Sequence, residues 1–271
     1  MSGPARAPEA TSAGGGSIGV FAPLAADYAA ARPGYPAAVF EALLGRLPRN
    51  AAALRALALD VAAGTGAATR GLLGRGLRVI AVEPALEMLR PAVPRLAGQP
   101  GWLGGLAARA EVLPVRSASA AAIVVAQAFH WLQPKPALDE FARVLAPAGV
   151  LLLLWNVAVV NAFVEQVWEL VESFNPGHER PVTQRMRGMP EPLAAHAGFR
   201  VETTLEVEHE RRLSVDDYLR YTHSWSYVGG AMNGATLEEF TQRLKHLLAT
   251  HHGKGPVTER FVATAHFARR L

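Results

Sequence analysis

The stretch that most constrains this chain runs from Leu57 to Pro84. It reads Leu57-Ala-Leu-Asp60-Val-Ala-Ala-Gly64-Thr-Gly66, then Ala67–Leu73, a Gly74-Arg-Gly76 break, and Arg78-Val-Ile-Ala-Val82-Glu83-Pro84. Leu57–Val61 has the length and composition of a short buried strand, and Arg78–Val82 is a second, β-branched run. Between them lie small residues, two glycines and a helix-compatible segment ending near Leu73. A strand–loop–helix–strand unit of this kind belongs to an open α/β sheet. In such sheets ligands bind beyond the carboxyl ends of the strands, near the point where strand order reverses. Ala62–Gly66 falls at one such end and Glu83 at the next.

The chemistry of these two ends fits a nucleoside. Gly64 and Gly66 carry no Cβ, so the backbone can turn sharply and lie against a ligand. The N–H groups that open the following helix are available to donate to it. A carboxylate closing the second strand can accept from both ribose hydroxyls. Dinucleotides and S-adenosylmethionine are both bound by this layout. The dinucleotide fingerprint G-x-G-x-x-G has a third glycine and an acid about 20 residues further on. Here the loop is Ala62-Ala-Gly64-Thr-Gly66-Ala-Ala, without the third glycine, and Asp60 precedes it.

The run LDVAAGTG…VIAVEP resembles motif I and the following acidic motif of class I S-adenosylmethionine-dependent methyltransferases, with Ala62 where that family more usually has glycine. The resemblance implies cofactor contacts from Asp60, Ala62, Gly64, Thr65, Gly66, Glu83 and Pro84. The family pattern EP-x-x-x-M-L is matched by Glu83, Pro84, Met88 and Leu89, which puts Met88 near the adenine or in the core. Ala110-Glu111-Val-Leu113-Pro114 is similar to the AE-x-L-P loop that places Ala110 and Glu111 beside the adenine. Ser117 and Ala121 stand where the family usually carries acids.

Two further runs resemble a subgroup related to trans-aconitate methyltransferases. The first is Tyr28-x-x-x-Arg32-Pro33-x-Tyr35-Pro36. Tyr28 and Arg32 share a helix face, Pro33 ends that helix, and Pro36 opens the next, which runs to about Leu47. The resemblance implies that this segment folds over the cofactor pocket, with Tyr28 and Arg32 toward the cofactor, Tyr35 toward the substrate, and Arg32 placed for a carboxylate of either one. A helix merely docked on the sheet edge is the other reading. The second run is Gln127-Ala-Phe-His130-Trp131, after a buried strand over Ala121–Ala128. There the resemblance puts Gln127 and His130 in the cofactor pocket and Trp131 at the substrate. His130 is either a general base, since imidazole titrates near neutrality, or a wall of the pocket.

The rest of the chain completes one α/β domain over residues 20–271. Leu138, Phe141, Ala142 and Leu145 follow helical spacing over Pro136–Leu145, and Val150–Trp155 is a strand. Arg143-Val-Leu-Ala-Pro147-Ala-Gly149 is close to the family's R-V-L-x-P-G-G turn. Pro91–Gly105, rich in Pro and Gly, reads as a loop or frayed helix. Phe163–Phe174 is amphipathic, and Glu191–Ala197 is a short helix. Arg180, Arg185 and Arg187 lie in a polar loop that is either simply solvated or turned to an anionic substrate. Phe199–Leu213 alternates apolar and charged residues as an extended strand does. Ser214 caps a helix whose first turn holds Asp216 and Asp217, where the dipole favours anions. That helix is read as running through Tyr218, Tyr221, Trp225 and Tyr227, and its Ser224-Trp-Ser-Tyr227 run marks Ser224 and Tyr227 as substrate candidates. Thr236–Thr250 is another helix and Thr258–Arg269 a closing strand. The resemblance implies a seven-stranded, mostly parallel Rossmann-like sheet with an antiparallel last strand, helices on both faces, and cap or lid segments at 20–47, 157–197 and 214–253.

Composition narrows the function classes. Half of the 271 residues are hydrophobic, enough for one sizeable core, yet Val150–Trp155 is far short of the roughly 18 apolar residues a membrane span needs. The absence of cysteine excludes disulfides and thiolate chemistry. A net charge of +4 without a basic stripe gives no reason to expect a nucleic-acid partner, and no metal site is expected. Residues 1–19 are Ala, Gly, Pro and Ser without periodicity and are expected to be disordered. They lack the apolar core of a signal peptide, so a cytoplasmic location is expected. The expected activity is methyl transfer from S-adenosylmethionine to a small-molecule acceptor, a carboxylate or a hydroxyl. A catalytically degenerate scaffold that binds the same cofactor and a nicotinamide-dependent oxidoreductase are the alternatives.

Overall fold

The computed structural model describes residues 33–48, 56–177, 189–225, 227–253 and 255–271. At its centre stand β1 (Leu57–Val61), β2 (Arg78–Val82), β4 (Ala120–Ala126) and β5 (Leu145–Ala158), with β3 (Trp102–Leu106) on one edge. The last two strands, β6 (Phe199–Leu213) and β7 (Val257–Arg270), complete a sheet of order β3-β2-β1-β4-β5-β7-β6. β1 through β5 pair in parallel, and β7 runs antiparallel to both of its neighbours. The strand order reverses between β1 and β4, so their carboxyl ends form the crevice where such sheets bind ligands.

The central strands are apolar on both faces because both are covered. One face (Ala58, Val79, Val124, Leu152, Phe267) packs against α1 (Ala37–Arg46) and α2 (Ala67–Leu73) through Val39, Phe40, Leu43 and Leu72. The other face (Leu59, Ile123, Val125, Leu151, Leu153) packs against α3 (Pro134–Val144) through Leu138 and Phe141, both fully buried. Each such side chain contributes about 1.5–3 kcal/mol by leaving water.

A third apolar cluster is separate from the sheet. It joins α4 (Ala162–Phe174), α5 (Val215–His223) and α6 (Gly234–His252) through Val167, Val171, Tyr218, Phe240 and Leu244. The long strands β6 and β7 reach into it with Leu213 and Val257. Asn161 and Ser214 cap α4 and α5, their side chains accepting from Val164 N and Asp217 N.

The structure departs from the sequence reading chiefly at three places, and it shortens two expected elements: the strand over Ala121–Ala128 is Ala120–Ala126, and the helix over Glu191–Ala197 is Glu191–Ala194. Pro91–Gly105 holds a strand, β3, after a single helical turn over Val93–Leu96. β5 begins at Leu145, not Val150, and takes in the Pro147–Gly149 turn with Ala148 at a φ of 59°. α5 stops at His223, before Ser224 and Tyr227, where Ser224 turns its hydroxyl back to Tyr221 O. The expectations for residues 1–19, for Tyr28 and Arg32, and for Arg180, Arg185 and Arg187 lie outside the described residues. Among the described residues no helix is long and apolar enough to cross a membrane, and no His/Asp/Glu group is arranged to hold a metal ion.

Candidate functional site

Two strand ends define the site. β1 ends in Asp60-Val61, and the chain turns at Ala62 and Gly64 with φ of 56° and 52° before Gly66, at 72°, starts α2. Left-handed backbone is costly for alanine and cheap for glycine, so Ala62 holds a mildly strained position at the mouth of the loop. A Cβ on Gly66 would lie 3.3 Å from the Ala92 Cβ, which keeps this position small as well.

Glu83, at the end of β2, is bound into this loop. Its Oε2 accepts from Gly64 N at 2.9 Å and its Oε1 from Ala85 N at 3.0 Å. The carboxylate is thus fixed beside the glycine turn with further lone pairs on each oxygen. Burial raises its pKa, against the two backbone donors that lower it. Met88 is buried with its methyl 4.0 Å from where a Gly64 Cβ would stand, so it closes the floor of the loop.

Asp60 lies deeper, 1 % exposed. Thr69 Oγ1 donates to its Oδ2 at 2.5 Å, and Oδ1 has no hydrogen-bond partner among the described residues. Desolvation pushes its pKa up to about 7, with the Glu83 charge adding to the rise and Thr69 opposing it. A buried carboxylate with one unmet oxygen is a place where a ligand cation gains more than it would in water.

β4 delivers the third part. Gln127 follows the strand with a φ of 59° and donates from Nε2 to Asn156 O at 3.1 Å. Asn156, near the end of β5, donates to Gly34 O at 2.9 Å and meets His209 Nε2 at 2.9 Å. This network fastens the Pro33–Tyr35 segment across the crevice. His130 stands in a short 3-10 turn, Phe129–Trp131, at the rim, its ring 5.0 Å from that of Trp131. His130 is exposed at the rim, and partial desolvation by the neighbouring protein lowers its pKa below the ordinary histidine value.

A cavity of about 250 Å³ joins the glycine loop to the end of β4. Ala62, Gly64, Thr65, Gln127, His130 and Trp131 line one half, together with Tyr35. From there it runs beneath the lid, between Trp168 of α4, Tyr221 of α5, Trp225 and Tyr227 after it, and Phe261 of β7. Tyr227 is therefore at the cavity. Ser224 is not among the lining residues and is fully buried. Asp60, Glu83, Pro84, Met88, Ala110 and Glu111 also stand off the cavity wall. Glu111 braces a neighbouring loop: its Oε1 accepts from Gln133 N at 3.0 Å and its Oε2 from Arg109 at 3.4 Å.

The methyltransferase domain family profile matches residues 59–153, the segment that holds Asp60, the glycine loop, Glu83 and His130. An uncharacterized methyltransferase of Mycobacterium tuberculosis (strain H37Rv) is 37 % identical over 229 residues, 83 % of each chain. The chain belongs to the class I S-adenosylmethionine-dependent methyltransferases. A second relative, an uncharacterized methyltransferase of Schizosaccharomyces pombe, is 31 % identical over 154 residues, 56 % of this chain and 59 % of that one. A solved structure assigned as a type II methyltransferase from Anaeromyxobacter dehalogenans superposes with a TM-score of 0.65 at 26 % identity, over 88 % of this chain and 97 % of that one. A methyltransferase from an antibiotic biosynthesis pathway of Anabaena variabilis shares the fold, with a TM-score of 0.54 at 19 % identity over 87 % and 98 %.

In this methyltransferase, sequence reasoning missed several cavity residues. Asn156 gave no signal, because its role is to tie three distant segments together. Trp168 was hidden in an amphipathic pattern, where an aromatic is ordinarily a packing residue. Phe261 and Glu259 enter the cavity only through the register of β7, where Phe261 pairs with Ala158 and His209. Ser117, at a position where the family usually has an acid, accepts from Arg143 Nη1 at 3.0 Å, and the same arginine binds Glu140 and Leu113 O. The loop after Glu111 is thus clamped to α3 through Arg143 and through Glu140, whose Oε1 accepts from Leu113 N at 2.6 Å.

Proposed function

We propose that the methyltransferase binds S-adenosylmethionine across the glycine loop and methylates a small-molecule acceptor held under α4 and α5. The observation that supports this best is the continuity of the cavity from the glycine loop to the lid. The residues suit the cofactor. Glu83 is fixed beside the glycine turn, just behind the cavity wall, and Gly64 leaves the loop open. The buried Asp60 carboxyl stands deeper, with no partner for Oδ1 among the described residues. When bound, the cofactor supplies an electrophilic methyl group on a sulfonium.

The chain's own work is alignment, exclusion of water and handling of one proton. Gln127 and Asn156 hold the β4 and β5 ends and the Tyr35 segment in one arrangement. His130, kept neutral at pH 7 by its lowered pKa, has a ring nitrogen free of a proton and stands at the cavity mouth. On a hydroxyl acceptor it takes the O–H proton as the oxygen gains its methyl. Family membership favours this reading over a degenerate scaffold or an oxidoreductase.

The test is formation of S-adenosylhomocysteine from S-adenosylmethionine, followed by mass spectrometry, with small phenols, acids and amines and with bulk protein and nucleic acid. Turnover with small molecules is expected. Turnover only with a macromolecule would overturn the acceptor assignment.

A further inference from the structure

The geometry points to an acceptor that is uncharged, planar and largely apolar, such as a phenol or quinol ring, held against the aromatic wall of the cavity. This rests on the cofactor reading above and names the chemistry of the other half of the same cavity.

The walls of that half are aromatic faces. Trp168 and Trp225 lie nearly parallel, with centroids 5.3 Å apart and planes at 13°. Tyr227 leans on both, 5.4 Å from each, and Tyr221 stands edge-on to Trp225 at 5.2 Å. Val157, Val164 and Val167 fill the surface between them. Such a surface rewards a flat ring through offset stacking and burial, about 0.5–1.5 kcal/mol per aromatic pair beyond the area term.

Charge decides between ligands of that shape. Among the described lining residues the only carboxylate is Glu259, and the only group that can carry a positive charge is His130. Glu259 is held from behind by its cross-strand partner Arg211, whose Nε donates to Oε2 at 2.7 Å. The Arg211 guanidinium sits 4.2 Å over the Tyr221 ring and does not itself line the cavity. Glu259 is already paired with Arg211, so the two together are close to neutral. An anionic or a cationic ring would therefore lose its hydration without finding an unpaired opposite charge among the described lining residues. An uncharged ring pays neither penalty, since an unpaired charge moved out of water is expensive. His130, neutral at the rim, matches a phenolic hydroxyl as proton donor.

The experiment compares three probes of one size: 2-naphthol, 2-naphthoate and 2-naphthylmethylammonium. Each is titrated into the full chain, with and without saturating S-adenosylhomocysteine, by calorimetry and by quenching of tryptophan emission. The expected result is that 2-naphthol binds at least about tenfold more tightly than either charged probe, equivalent to about 1.4 kcal/mol, and quenches emission. Val164→Trp, which fills the cavity from α4, is expected to abolish 2-naphthol binding while S-adenosylhomocysteine affinity stays close to wild type. Equal or tighter binding of a charged probe would overturn the inference, as would 2-naphthol binding untouched by Val164→Trp. Failure of S-adenosylhomocysteine to bind would sink the cofactor reading instead. In that case the ranking of the three probes on the protein alone still decides the acceptor class.

Discussion

Replacing Asp60 with asparagine should change how stability depends on pH, by an amount the structure fixes. The carboxyl is 1 % exposed, bound at one oxygen to Thr69 and without a partner at the other among the described residues. Its pKa rises from 3.8 to about 7, chiefly by desolvation. Between those two values the folded protein holds a proton that the unfolded chain has released. The unfolded state therefore binds fewer protons, and stability falls as pH rises through this window. Below the lower value both states are protonated, and above the upper value both are ionised, so the slope vanishes at each end. Each unit of difference is worth about 1.4 kcal/mol, so from pH 5 to pH 8 the ionisation of Asp60 costs roughly 3 kcal/mol. Asp60→Asn has no such term, and any cost of its unpaired amide is independent of pH. The stability of Asp60→Asn relative to wild type should therefore rise by about 3 kcal/mol between pH 5 and pH 8. Urea unfolding of both proteins, without cofactor and at constant ionic strength, measures this directly. A relative stability that is the same at both pH values would show that Asp60 titrates like an exposed carboxylate and refute the reasoning.

Other residues carry sharper functional predictions. Glu83→Ala removes two ribose acceptors and the partner of Gly64 N; hydrogen bonds to a charged group are worth about 1.5–3 kcal/mol each, so S-adenosylmethionine affinity should fall at least tenfold in a calorimetric titration. Unchanged affinity would move the ribose elsewhere. His130→Ala should lower turnover by about a hundredfold while cofactor affinity changes little, as befits a general base; an equal loss of both would make it a wall of the pocket. Gly71→Ala should destabilise by about 2–3 kcal/mol in thermal unfolding, because its Cβ would fall 2.1 Å from the buried Phe40 ring that docks α1 on α2. A loss below about 0.5 kcal/mol would mean that this helix contact yields freely.

The centre of the fold was legible because its strands are short apolar runs bounded by breakers. β1, β2 and β6 were read with the bounds they have. β3 was not, since Trp102-Leu-Gly-Gly-Leu106 has a composition that strands avoid. Two of the glycines here have a tertiary cause. A Cβ on Gly105 would stand 3.1 Å from Leu89 Cδ1, and Gly101, just before the strand, has a φ of 87° and would put a Cβ 2.3 Å from Leu77 O. The part of the site proposed for the cofactor was equally readable, because a glycine turn between two strands and an acid after the second is a local pattern. The part proposed for the acceptor was only partly so. Tyr221, Trp225 and Tyr227 stood out as an aromatic run, but Trp168, Glu259 and Phe261 join them from other elements. A cross-strand pair such as Arg211 with Glu259 depends on register, which no local spacing reveals.

The central claim is that the loop of Gly64 and Gly66 together with Glu83 forms an S-adenosylmethionine site. Calorimetric titration of the purified chain with S-adenosylmethionine, S-adenosylhomocysteine and NADH tests it most directly. The account predicts saturable, one-to-one binding of the first two and no heat of binding from NADH. Binding of NADH, or of none of the three, would contradict it.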